Sequence, residues 1–569
     1  MSGIRITNFG GQLPIRDVRQ LPDTAAVTAL DTRLVSGAIE GVRRNRLITT
    51  VAAGTKHVYR VPTGAADVID AAYWMAFADE HTDVVRTPIV NDSFERYYWC
   101  SPSTGLRYAT KAMILAGNLT GLGLGVQRPA AAPAVSVVPG TGAIDPETGE
   151  NTAPTVTRSY VVTFVSEFGE EGQPSDSAEA TGPSDADWQV SSIPQPVVES
   201  GKAVVTTIRI YRTVTGSDGT TTFFRVVDLA PGTTVYTDRL SDIVVSGQGE
   251  LGSTIWAGPP AGLQGLALMP NGIFVSWVGN TLYFSENYRP HAWPAEYQIT
   301  VQHPVVGLAV FGNSCLVLTQ GNPAIVTGTQ AATLTLTTMD APLPCLSRKS
   351  IVSAPEGVYF ATTGGLALVN AGGSQVLTDA IIGREKWQGY APGAMRAVKA
   401  YGAYTAALAP VTGLAVQVPA ASPDAGGQSG VVFLSLPTTT VYVGTDVWSG
   451  KPWLLDGTTL YEWLPVETRP KAYRWRSKEF VLPAPQNLGV AQVRFRPADF
   501  SPDPGEVLLT LRVWANGDLV YEQEVTSLSN RALRLPTGFR SDTWQVEVEG
   551  ALPVQEIVLA RTVTELRGV

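Results

Sequence analysis

At 569 residues the chain is too long for one ordinary core and calls for two to four domains of roughly 100 to 200 residues each. Charged residues make up only 16% and apolar residues 44%, against a usual charged share of about 25%, so the surface relies on Thr, Ser, Gln, Gly and backbone, as suits permanent burial in an assembly. The net charge of −9 argues against a general nucleic-acid-binding surface, which needs clustered Lys and Arg; if copies lined a channel, a mildly acidic wall would repel phosphates and keep DNA from sticking.

With 56 Gly, 40 Pro and many Val, Thr and Tyr, the composition favours short strands joined by tight turns, so a mostly β chain is expected. Cys100, Cys315 and Cys345 are odd in number and widely spaced. They predict buried free thiols rather than a disulfide framework. The opening Met1-Ser2-Gly3-Ile4-Arg5 lacks the pattern of a secretory signal, and no apolar run approaches the length of a membrane-spanning helix. Folding in the cytoplasm is the expectation.

From Asn8 to about Val126 short strands alternate with turns, a region (1–130) expected to be the N-terminal part of a β-propeller or its platform. Its densest apolar piece, Ala71 to Phe77, and Arg96-Tyr97-Tyr98-Trp99, which follows the turn-favouring Asn91-Asp92, are expected in one sheet system. Residues 131–155, rich in Ala, Pro, Gly and Thr, read as a linker. Residues 156–250 predict a sandwich: Ser159 to Val165 is strand-like, and Ile208 to Arg212 crosses a Gly216-Ser217-Asp218-Gly219 turn to Thr222 to Val227. That module resembles a fibronectin type III or immunoglobulin-like domain.

Over 251–470 strand pairs recur. Gly272 to Trp277 pairs with Thr281 to Ser285, Gly307 to Phe311 with Cys315 to Thr319, Gly357 to Ala361 with Leu366 to Val369, and Pro452 to Leu455 with Leu460 to Trp463. Small antiparallel sheets shut by Gly-rich turns are what propeller blades require, so a β-propeller is the expected architecture. Residues 471–569 predict a C-terminal sandwich or a closing blade. There Asn516-Gly517 joins Leu508 to Trp514 with Leu519 to Tyr521, and Trp544 to Glu549 alternates as a strand with one solvated face.

Active-site patterns are sparse. No phosphate loop, HExxH, G-x-S-x-G or CxxC occurs, and only His57, His81, His291 and His303 could supply an imidazole base. His291 and His303 sit beside prolines, as packed turn histidines do. Gly121, Gly123 and Gly125 misplace the third glycine of the dinucleotide fingerprint and read as a flexible loop. Asp79, Glu80 and Asp83, and Glu167, Glu170 and Glu171, lack the ligand alternation of a calcium loop and read as solvated acidic loops. A glycan hydrolase would need two converging carboxylates from a set such as Asp340, Glu356, Asp379 and Glu385. No catalytic, cofactor-binding or metal-ligating residue and no cofactor is expected. Arg16, Arg19, Arg43 and Arg44 read as solvated arginines able to meet an acidic neighbour.

Asn8-Phe9-Gly10-Gly11, Arg16, Leu21-Pro22-Asp23 and Leu34-Val35-Ser36-Gly37 resemble the opening of the tail nozzle proteins of short-tailed phages, the tail tubular protein B family. Further likeness lies in Asp83 to Pro88, Arg96 to Trp99, Ser347 to Ile351 and Tyr473 to Lys478, and most specifically in Leu282 to Pro294. The resemblance spans nearly the whole chain outside the inserted module. It implies a β-propeller subunit of the virion tail that forms a homo-oligomeric, hexameric ring below the tail adaptor protein. Such a ring conducts DNA during ejection without sequence-specific binding, and its inserted module would touch tail fibres, spikes or a neighbouring subunit. A tail adaptor or hub is the nearest alternative, and a propeller glycan hydrolase or glycan-binding protein the alternative of another class.

Overall fold

The computed structural model describes residues 3–35, 37–64, 72–138, 144–215, 221–408, 413–419, 430–437, 441–496, 500, 506–526 and 530–567. The fold is all-β and of propeller type, with an inserted immunoglobulin-like sandwich and a C-terminal β unit. The chain divides into two compact units, residues 1–81, 318–323 and 339–569, and residues 82–317 and 324–338.

In the second unit, neighbours in sequence are neighbours in the sheet, as in propeller blades. One blade runs Asp83–Arg86, Tyr97–Ser101, Gly105–Ala109, Leu122–Gly123, and another Ala267–Leu268, Phe274–Val278, Thr281–Phe284, Gln298–Thr300. A further sheet orders Val305–Phe311, Ser314–Thr319, Ala324–Thr327 and Thr335–Thr338. Inner strands such as Tyr97–Ser101 are buried on both faces, which is why they read as continuous apolar runs.

The inserted sandwich packs a sheet of Ala134–Val138, Asp187–Ser191 and Tyr236–Asp238 against one of Ala178–Pro183, Thr155–Ser166, Val205–Thr215 and Thr221–Leu229. Tyr160, Phe164, Trp188, Ile208 and Ile210 fill its core. The module therefore begins inside the stretch read as a linker. Val135 and Val137 alternate inward from Ala134–Val138, a strand too short to stand out from its Ala- and Pro-rich surroundings. The hairpin between Val205–Thr215 and Thr221–Leu229 forms as expected, and its turn at 216–219 lies outside the described residues.

In the first unit, Val352–Ala354, Gly357–Ala361, Leu366–Asn370 and Gly373–Val376 form one blade. Val441–Thr445, Pro452–Asp456 and Thr459–Glu462 form another, completed by the far N-terminal strand Arg46–Thr50. Strands Arg396–Ala400 to Val432–Ser435 continue through Ala26–Leu30 into a ten-stranded sheet that carries Tyr473–Ser477, Ser541–Gly550, Leu509–Ala515 and Asp518–Val525. Ile4–Ile6 and Ala38–Gly41 pair with Val554–Ala560 in a six-stranded sheet. One core shared by Ile4, Phe9, Ile39, Trp475, Trp544 and Leu559 shows that these N-terminal strands pack with the C-terminal ones.

Several local expectations change. Ala72–Phe77 pairs with His57–Pro62 in a two-stranded ribbon, a different sheet from Tyr97–Ser101, because its apolar run packs across that ribbon; Ala71 lies outside the described residues. Ser541–Gly550 is buried on both faces rather than solvated on one. Its polar side is covered by cross-strand arginines: Arg512 reaches Glu547 at 2.8 Å and Glu549 at 2.5 Å, and Arg476 reaches Gln545 at 2.8 Å. The Asn516-Gly517 turn forms with both residues left-handed (φ 51° and 86°), as a two-residue hairpin loop requires.

A fully enclosed long-range tie in the first unit is Arg60 to Asp446, 2.7 Å apart with side chains 0% and 1% exposed. Asp446 also accepts from the hydroxyl of Ser449, and the Trp448 indole donates to the Arg60 carbonyl. Arg60→Met would leave that carboxylate buried without its guanidinium. The expected loss is about 3–5 kcal/mol, read as a lower urea midpoint with the denaturant slope unchanged. An unchanged midpoint would mean that the pair contributes no net stability.

Candidate functional site

The Leu282–Pro294 run folds into a knot of internal contacts. Tyr288 adopts a left-handed backbone (φ 55°), donates its N–H to the Gly272 carbonyl at 3.0 Å and lays its ring on Gly272. A Cβ on Gly272 would come within 2.5 Å of that ring, so only glycine fits. Asn287 donates to the carbonyls of Asn271 and Thr329 and accepts from the Ala331 N–H, which ties three loops. Glu286 accepts from the Tyr297 hydroxyl at 3.1 Å, and the Trp293 indole donates to the Pro290 carbonyl at 2.8 Å. The Arg289 guanidinium lies 4.2 Å from the Trp256 ring centre.

Beside this knot sits a buried polar cluster drawn from three segments. Arg96, at the entry to Tyr97–Ser101, donates to Asp92 at 2.8 Å and to Glu170 at 2.6 Å. Glu170 comes from the connection between Thr155–Ser166 and Ala178–Pro183 of the sandwich, and its carboxylate is 3.8 Å from His291 Nδ1. Arg96, Glu170 and His291 are closed to solvent at 4%, 6% and 6% exposure. Burial pushes the Glu170 carboxyl up to about 7 against the opposing pull of Arg96. Burial, helped by Arg289 and Arg96, pushes His291 down to about 3. Tyr98 and Tyr108 stack alongside with ring centres 5.6 Å apart, and burial raises both phenols above their ordinary range. A neutral imidazole and an arginine-paired carboxyl sealed from water act as a tie between the blade, the sandwich and the 282–294 run.

The remaining candidates do not converge with this cluster. His57 is held low by burial, then by Lys349 and Arg348, and packs edge-on to Trp453. His81 is lowered by burial and the same two cations, while His303 is exposed. The acidic loops are not simply solvated. Glu80 meets Arg396 at 2.7 Å; burial pushes its carboxyl up, but the hydrogen bond and charge of Arg396, with the charges of His81 and Lys349, together hold it below its ordinary value. Asp79 accepts the His81 N–H and Asp83 accepts the Leu266 N–H. Glu167 accepts the Val204 N–H, and Glu171 takes bonds from Thr163, Tyr211 and Arg209. These carboxylates satisfy strands and turns, which holds them apart as ligands; no cluster able to hold a metal occurs among the described residues.

Asp340, Asp379 and Glu385 are exposed, and Glu356 pairs with Lys399 at 2.5 Å. The glycine triplet is tight rather than flexible. A Cβ on Gly121 would strike the Trp99 ring at 2.5 Å, Gly123 belongs to the strand Leu122–Gly123, and Gly125 abuts Gly258. Arg43 is buried and donates to the Thr468 carbonyl because the pairing of the chain's two ends encloses it, whereas Arg16, Arg19 and Arg44 are exposed. Cys100, Cys315 and Cys345 are free and buried, and burial pushes the thiols of Cys315 and Cys345 up to about 12.

A second buried network was not legible in the sequence. Arg212, fully buried, lies 2.8 Å from Asp238 and 2.6 Å from Asp242, while Tyr160 donates to Asp238 at 2.8 Å. Arg158 reaches the same Asp242 at 2.7 Å. Period-two alternation puts Arg212 on the same inward face as Ile208 and Ile210, but it does not show which carboxylates meet it there. Two carboxylates just beyond Tyr236 were the available signal.

No protein-family model and no curated protein matches the chain. Among solved structures it is similar to BBS1N in complex with ARL6DN in mercury-soaked crystals, with 12% identity, TM-score 0.24, and coverage of 51% of this chain and 88% of that one. It is also similar to PorZ, a bacterial surface component of the type-IX secretion system of Porphyromonas gingivalis, with 12% identity, TM-score 0.20, and coverage of 52% and 40%. Likenesses this low assign no function.

The Glu170–His291 pair sets a pH test. Glu170 keeps its proton to about 7 in the fold against an ordinary 4.5, so its contribution is full below 4.5 and is lost as pH rises towards 7. His291 stays neutral to about 3 against an ordinary 6.5, so its contribution is present above 6.5 and is lost as pH falls towards 3. Between 4.5 and 6.5 the two slopes oppose each other. Urea midpoints measured from pH 4 to 7.5 should slope upward with pH in Glu170→Gln and downward in His291→Asn, relative to the parent. Parallel profiles in all three proteins would refute the assignment.

Proposed function

We propose that the chain is a structural subunit of a phage virion, a tail nozzle protein that repeats around the axis of a short tail and conducts DNA during ejection. The observation that carries this reading is the fate of Leu282 to Pro294, the most specific part of the nozzle resemblance. Its Tyr288, Asn287, Trp293 and His291 are spent on internal ties, and its neighbouring carboxylates are locked to arginine or backbone. That is the chemistry of a rigid scaffold. Blades with few free edges suit copies packed side by side under one rotation, because unsatisfied strand edges invite uncontrolled pairing.

In this role the partners are further copies in a hexameric ring, the tail adaptor protein, and DNA that passes along a mildly acidic wall without sequence recognition. The inserted sandwich is an outward module for a fibre, a spike or a neighbouring subunit. The place of action is the virion tail, assembled in the host cytoplasm.

Light scattering of the purified protein, alone and with the adaptor ring of the particle, tests this directly. A closed hexamer, or a monomer that becomes one on the adaptor, is expected. A monomer that ignores every tail protein would overturn the reading and bring the glycan hydrolase forward, for which release of reducing sugar from host-surface glycan is the assay.

A further inference from the structure

We propose that a cleft in the first unit is a docking site for an acidic peptide segment of a neighbouring protein, one that carries apolar residues beside its carboxylate. The cleft, about 320 Å³ in volume, is lined by Lys399, Tyr401, Lys451, Leu464, Pro465 and Val466, among others. Its floor is mostly apolar, and Val466 at the rim is 58% exposed. Two lysines stand in its wall. Glu462 also lines the hollow, and because it is shared by two cations one positive charge is left in excess there.

The charge arrangement favours an incoming carboxylate. Glu462, only 3% exposed, is shared between Arg46 at 2.7 Å and Lys451 at 3.1 Å. Lys451 is 42% exposed and has three N–H donors, so it can turn part of its hydrogen-bonding capacity outward. Lys399 is held in place by Glu356 at 2.5 Å.

The walls are also fixed in costly conformations. Tyr401 stands at φ 50° ahead of Gly402 in a two-residue turn between Ala400 and Ala403, a position that Asn, Asp or Gly normally takes. Leu464 is likewise left-handed at φ 49°. The Tyr401 hydroxyl donates to the Pro465 carbonyl at 3.1 Å, and the Arg33 guanidinium lies over its ring, 4.6 Å from the centre. These contacts hold the hollow open as a preformed shape, which lowers the ordering cost of a ligand.

The occupant is a protein segment that brings apolar side chains to Leu464, Pro465 and Val466 and a carboxylate to Lys451. The proposal rests on the assembly role above, since a scaffold subunit must grip a neighbour. The probe is the peptide Ser-Gly-Leu-Glu-Leu-Gly-Ser, blocked at both ends, with a Gln-for-Glu control, titrated onto the full-length protein by saturation-transfer NMR and calorimetry. The Glu peptide is expected to bind about tenfold or more tighter than the Gln peptide and to weaken with salt. Lys451→Met and Val466→Asp are expected to weaken it to a similar degree. Val466→Asp changes only an exposed side chain and so guards against misfolding. Equal binding of the two peptides, or full binding by Val466→Asp, would overturn the proposal, as would absence of binding. Light scattering on the same samples separates the two ideas. A ring without peptide binding removes the cleft alone, and peptide binding by a persistent monomer removes the assembly role alone.

Discussion

Backbone hydrogen bonds between the beginning and the end of the chain are the interaction on which the rest of the first unit depends. Arg46–Thr50 supplies the fourth strand to a blade whose other three strands lie between Val441 and Glu462. Ile4–Ile6 runs antiparallel to Val554–Ala560, and Ala26–Leu30 sits between Val432–Ser435 and Tyr473–Ser477. Without those N-terminal strands, three sheets would expose unpaired strand edges. Each such pairing closes a loop of several hundred residues, whose entropy cost grows only slowly with length but must be met before any contact forms. These three sheets can be completed only when both ends of the chain are present.

Buried charge supplies register more than raw stability. Arg60 with Asp446, Arg212 with Asp238, and Arg96 with Glu170 each join segments far apart in sequence, and in each pair both partners are almost fully enclosed. Desolvation offsets most of the Coulomb attraction in such pairs, whereas an incorrect alignment would leave a charge buried alone at a much larger cost. That asymmetry penalises misdocked blades and misregistered strands. The sandwich shows the same design twice: Arg212 closes one region through Asp238 and Asp242, and Glu170 ties its loop to Arg96.

In the proposed nozzle role this rigidity has a purpose. A conduit under load must keep its shape, and side chains engaged inside the fold cannot be recruited by what passes through it. The cleft around Lys451 and Tyr401 stands apart, because there an exposed cation and exposed apolar surface face outward together.

Short-range patterns determined a good deal on their own. The hairpins Gly272 to Ser285, Gly357 to Val369, Pro452 to Trp463 and Leu508 to Tyr521 were all legible, because a Gly-bearing turn between two apolar runs fixes a local pairing through backbone geometry alone. The all-β class and buried free cysteines followed from composition and spacing in the same way. Tertiary structure alone decided which strands complete which sheets, that Ala134–Val138 belongs to the sandwich, and that Arg43, Arg212 and Glu170 are buried. It also covered the polar side of Ser541–Gly550 with Arg512 and Arg476. The physical reason is that a side chain's alternation tells which face it occupies, whereas its burial and its partner depend on what packs over that face, and here the covering residues lie tens to hundreds of positions away.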